Sequence, residues 1–149
     1  MAGFDTTAFM NAEVSRRTDT VTLATLAVFF PEGENPIFTV QNLTAPEIAQ
    51  VREAVAKNAA ARRALLKAEK EGATEEILAA IRTLLAATGG KGVPDEYARY
   101  LKLVTLGCVD PAIDHETAKR LAKAAPVGFE SLAVKILTLT GLGGDVKKK

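Results

Sequence analysis

Several residue types are scarce in this chain, and each shortage narrows what it can do. Its 149 residues contain one cysteine, one histidine and no tryptophan. A single cysteine rules out an internal disulfide and is compatible with a reducing compartment. Aromatic residues make up only 5%, so a core must be assembled from Leu, Ile, Val and many alanines. Ser15 and Ser131 are the only serines, which leaves nucleophilic catalysis poorly served. Net charge is +1, and such a balance draws the molecule neither to nucleic acid nor to anionic lipid. Leu23 to Phe30 is the longest apolar run, far short of the ~20 residues that span a bilayer. The start, Met1-Ala2-Gly3-Phe4-Asp5, lacks the basic-then-apolar layout of a signal peptide, so a cytosolic location is expected.

Apolar residues are plentiful, at 48%, and their spacing outlines a single α+β domain over 1–149 that is predominantly α-helical. An N-terminal arm and β-hairpin (1–43) precede about five helices. Asp5 to Arg17 reads as a short helix capped by Asp5 or Thr6. Thr18 to Phe30 is rich in β-branched and aromatic residues, Pro31 to Pro36 breaks the chain, and Ile37 to Val40 has strand composition. A helical pair follows over 44–88. Thr44-Ala45-Pro46-Glu47 is a capping-box start, and Ile48, Val51, Val55, Ala59, Arg62 and Leu66 mark one face to about Glu71. Thr74-Glu75-Glu76 begins its mate, with Ile77, Leu78, Ile81, Leu84 and Leu85 apolar. Gly89-Gly90-Lys91-Gly92 reads as a hinge (89–93).

Three more helices are expected over 94–142, ahead of a basic tail (143–149). Pro94-Asp95-Glu96 opens the first, where proline loses no hydrogen bond and acids meet the positive dipole end. Tyr97, Leu101, Val104 and Cys108 recur at helical spacing, widened by Leu103 and Leu106, before Asp110-Pro111. Asp114 caps the second. Pro126 opens the third, whose ladder of Phe129, Leu132, Ala133, Ile136, Leu137 and Thr140 ends at Gly141.

Chemistry is hard to place on these elements. His115-Glu116 lacks the second histidine that a zinc-binding helix needs one turn on, where Lys119 stands instead. Asp110 and Asp114 fail as a calcium loop, because Ala112 occupies a ligand position. Gly89 to Gly92 follows helical residues and lacks the Lys-Ser/Thr of a phosphate loop. Cys108 sits on an apolar face, as a buried hydrophobe would. No catalytic residue, metal site or cofactor is expected, and the chain is not read as an enzyme. The Lys57–Lys70 stretch, with Arg62, Arg63 and Lys67, is basic enough to raise nucleic-acid binding as an alternative. Glu53, Glu69 and Glu71 interleave with it, however, and Glu53 with Lys57 has ion-pair spacing. Nucleic acid is therefore not the expected partner.

The order of "LTAPE" (Leu43 to Glu47), "LVTLGCVDP" (Leu103 to Pro111) and "LAVKILTLTGL" (Leu132 to Leu142) carries a further clue. From about Thr18 to Leu142 the chain resembles the tail assembly chaperones of long-tailed bacteriophages. That resemblance implies a small helical protein of the host cytoplasm, absent from the mature virion. It would keep the tape measure protein soluble, help recruit tail tube subunits and then leave. It also implies a longer form made by programmed ribosomal frameshifting in many such phages, for which Lys147-Lys148-Lys149 would suit a slippery codon run. Self-association stays open, and no membrane is expected. The surface for such a partner is sought on the last helices: Leu103, Leu106, Phe129, Leu132, Val134, Ile136, Leu137 and Leu139. Val134 and Leu139 lie off the main stripe, so that helix either is central in the chain's own core or offers a face to a partner. The alternatives are a nucleic-acid-binding regulator and a structural subunit of the virion tail.

Overall fold

The computed structural model describes residues 3–86 and 94–141. The glycine hinge and the lysine tail lie outside these. Within them the chain forms a mainly helical α+β fold, with helix α1 (Thr6–Asn11), strand β1 (Thr18–Thr22), a 3₁₀ segment (Ala24–Phe29) and strand β2 (Ile37–Gln41). Helices α2 (Ala45–Lys70), α3 (Glu75–Ala86) and α4 (Asp95–Gly107) follow. Strand β3 (Cys108–Asp110) and helices α5 (His115–Ala124) and α6 (Pro126–Thr140) complete it.

The helix boundaries are chemical. At the start of α2, Glu47 Oε1 accepts from the Thr44 amide at 2.9 Å and from the Thr44 hydroxyl at 3.0 Å. The Asp114 carboxylate accepts from the Thr117 amide at 2.8 Å and so caps α5. Gly141 ends α6 at φ +89°, a left-handed position that favours a residue without a side chain.

Four sequence expectations are corrected. Asp5 does cap α1, through Ala8 N at 2.9 Å, but that helix stops at Asn11 rather than reaching Arg17. The run from Thr18 to Phe30 is strand only to Thr22, and its apolar half turns into the 3₁₀ segment. The expected hairpin is there, β1 against antiparallel β2, but its connection is long. Cys108, expected on a helix, instead begins β3, which pairs antiparallel with β2 in the order β1-β2-β3. The stripe on α2 is also rotated: Val51, Asn58, Ala61, Leu65 and Ala68 face inward, while Leu66 is 60% exposed.

The principal core lies where α4, α5 and α6 close over the sheet. Leu101, Leu103, Val104, Leu132 and Ile136 are almost wholly buried there, together with Val40 and Phe38 from β2. Close approach of α4 to α6 depends on Gly107, because a Cβ there would lie 2.4 Å from Ile136 Cδ1. A smaller cluster, Ala61, Leu65 and Leu85 with Leu78 and Ile81, joins α3 to α2. Between the two clusters, Asp95 Oδ1 accepts from Asn58 Nδ2 at 3.1 Å and from Arg62 at 2.6 Å. No helix among the described residues is long and apolar enough to cross a membrane.

Candidate partner-binding groove

The eight residues sought as a partner surface are mostly inside the molecule. Leu103, Phe129, Leu132, Ile136 and Leu137 belong to the principal core; Leu106 and Leu139 pack against it half-buried. Only Val134 is markedly open, at 44% exposure. In this fold the last helix is a central core element, the other of the two arrangements its sequence allows.

An apolar concavity lies elsewhere, around the 3₁₀ segment. Leu23 anchors that segment: its amide donates to Pro36 O at 2.9 Å, and its side chain is buried against Gly128, where a Cβ would come within 2.9 Å. The next turn is closed by Leu26 N on Leu23 O at 2.9 Å and by Phe30 N on Ala27 O at 3.1 Å. This tight turn aims Leu26 and Phe30 at the core and leaves Val28 and Phe29 outside, about 80% and 81% exposed respectively. Phe30 stacks edge-on against Phe38 at 5.8 Å. Across from them α5 contributes Thr117, Arg120, Leu121 and Ala124, a single helical face by their spacing. The cavity so formed measures about 460 Å³. Buried Phe38, Ile113 and Leu121 form its floor, and exposed Phe29 and Arg120 stand at its lip.

A second, more polar cleft of about 540 Å³ lies between α2, α4 and the first residue of α5. Glu53, Lys57, Lys102, Thr105 and His115 line it. The expected Glu53–Lys57 ion pair is formed at 2.8 Å, and the ammonium groups of Lys57 and Lys102 hold the Glu53 carboxyl below its ordinary value. His115 is half-buried, and its Nε2 has no hydrogen-bond partner.

Other chemistry-bearing residues are placed as follows. Cys108 is buried at the start of β3, and burial pushes its thiol up to about 12. Among the described residues no three of His, Cys, Asp or Glu cluster as a metal site would need. On the Lys57–Lys70 face, Arg62 is engaged by Asp95, whereas Arg63, Lys67 and Lys70 are exposed.

Sequence reasoning passed over the groove, although the run held a signal. Leu26-Ala27-Val28-Phe29-Phe30 does not alternate, as a strand with one wet face would. Compared with known proteins, the chain matches no family model, no curated protein and no solved structure.

Proposed function

We propose that the chain is a non-enzymatic chaperone of the phage tail-assembly type, which shields an apolar helical stretch of a tape measure protein in the host cytoplasm. Tail tube subunits then compete for the same client and release it. The observation that supports this reading best is the groove between the 3₁₀ segment and α5. There an aromatic residue, Phe29, stays 81% exposed beside an apolar cavity that the chain's own described residues leave open. Exposed apolar surface of this kind is costly to keep and marks surfaces that meet a partner. A concave strip between two short elements suits the helix-in-groove mode of recognition, in which one stripe of an amphipathic helix is covered. The order of the sequence pieces points to the same family.

Co-expression with a tape measure protein tests the proposal. The client's soluble fraction should rise and the two chains should co-purify, and Phe29→Ser should weaken both effects. Phe29 is a surface residue, so its replacement leaves the fold intact. The absence of both the solubility gain and the co-purification would overturn the proposal.

A further inference from the structure

We propose that the groove selects an amphipathic helix whose apolar stripe is flanked by acidic side chains, and that Arg120 is the residue that selects it. This rests on reading the groove as the client site, and adds which clients it takes.

The lining of the groove carries a single charge, and it is positive. Arg120 is the only ionisable residue among the described residues that line it. Among the described residues no carboxylate lies within ion-pair distance of Arg120. On the same helix Lys123 is exposed, and the one nearby carboxylate, Glu116 a turn back, lies 3.6 Å from the Lys119 ammonium rather than against Arg120. The opposite wall, the 3₁₀ segment, carries no charge at all.

A helix seated between these walls covers Phe29 and Leu26 and takes water away from the Arg120 guanidinium. A neutral client would leave that cation partly desolvated without compensation, which costs free energy. A carboxylate on the client's flank restores the lost interactions, and the planar guanidinium can meet both of its oxygens. A lysine in the same place is repelled. Apolar area thus supplies affinity, and the single charged lip supplies choice and orientation.

The chain holds one competitor of similar chemistry. The N-terminal arm exposes Phe4, Phe9, Met10 and Val14 beside Asp5 and Glu13, and α1 buries none of its residues.

The test uses the full chain and three labelled helical peptides that share one leucine stripe, with glutamate, glutamine or lysine on the flanks. By fluorescence anisotropy at low salt, the glutamate peptide should bind about threefold more tightly than the glutamine peptide, and the lysine peptide more weakly still. In Arg120→Glu the order should reverse, which a merely structural role of Arg120 would not produce. Phe29→Ser should weaken all three peptides alike. Equal affinity for the three, or an order unchanged in Arg120→Glu, overturns the proposal. So does binding that appears only in Phe9→Ser/Met10→Ser, which would give the groove to the chain's own arm. Self-association abolished by Phe29→Ser, with no peptide bound, would give it to a second copy and overturns it too. Client solubilisation without charge preference sinks this inference alone; charge preference without any effect on a tape measure protein sinks the function proposed above alone.

Discussion

At the scale of single residues the structure turns on close fits rather than reactive groups. Gly107 is the tightest. The Cβ of an alanine would fall 2.4–2.8 Å from three carbons of Ile136, a β-branched side chain with no exposure and no room to swing. Gly107→Ala should therefore cost about 1–3 kcal/mol through overpacking, although alanine is the better helix former. The denaturant midpoint measures this, and a variant as stable as the parent would show that α4 and α6 can separate cheaply. Cys108 gives an independent check on the same core. Its thiol is buried and held at about 12, so at pH 8 almost none is thiolate. An aromatic disulfide reagent should label it only as fast as the surrounding core opens, and immediately in denaturant. Rapid labelling of the folded chain would contradict the placement of β3. Among the described residues the shifted carboxylates all move in one direction. Asp114 is depressed by the Thr117 hydroxyl and amide, and Asp19 by the Thr20 amide and Lys135. Glu47 is raised by burial but depressed more strongly by Thr44 and Arg16. Depressed acids contribute stability above their unfolded values, and that contribution is lost as pH falls through the folded ones. Thermal unfolding should thus hold level above about pH 5 and decline below about pH 4. Asp114→Asn, which can still cap α5, should lessen that decline.

Among the elements, α2 illustrates both what composition can specify and where it stops. Its start was legible because Thr44, Pro46 and Glu47 each solve a problem that only a helix N-terminus has: orphan amides, an absent donor and the dipole. The bonds from Thr44 to Glu47 make this literal, and Thr44→Ala should cost roughly 1 kcal/mol in unfolding experiments. The inward face was not legible. Leu65 and Leu66 are adjacent and chemically identical, and on an alanine-rich helix either could point in; the position of α3 decides for Leu65. The same limit hid β3. Three residues after a helix carry no alternation to read, and Cys108–Asp110 is a strand only because Thr39 and Val40 are there to pair with it. The groove was hidden for a related reason. Its walls bring α5 against the 3₁₀ segment and β2, which lie far from it along the chain. Most of the residues expected to face a partner were instead drawn into the core by the strength of their own apolar pattern. Where a helix boundary rests on a cap it can be read locally; where a surface rests on several elements it cannot.

On the scale of the whole molecule, the two apolar clusters of the described residues differ greatly in size, and this sets how the chain should come apart. The principal core engages the sheet, α4, α5 and α6, whereas α3 is held by Leu65, Ala61 and Leu85 with two half-buried neighbours. Ile77 and Leu84 on α3 point to solvent, so its burial is one-sided. Small clusters contribute little beyond the entropy of ordering the chain, and such units open locally at lower cost than the body. Amides of α3 should accordingly exchange with deuterium well before those of α4 and α6. Leu85→Ala and Leu132→Ala remove the same side chain from fully buried sites, and the substitution typically costs about 2–5 kcal/mol. Their consequences should nonetheless diverge. Leu85→Ala should speed exchange in α3 and leave the groove's affinity for peptide untouched, because neither α2 nor α3 lines that groove. Leu132→Ala should lower global stability and weaken peptide binding near the midpoint, since α6 underlies the elements that form the groove walls. If Leu85→Ala instead destabilised α4 and α6 to the same degree, the Asn58–Arg62–Asp95 junction would have to join the two clusters into one cooperative unit.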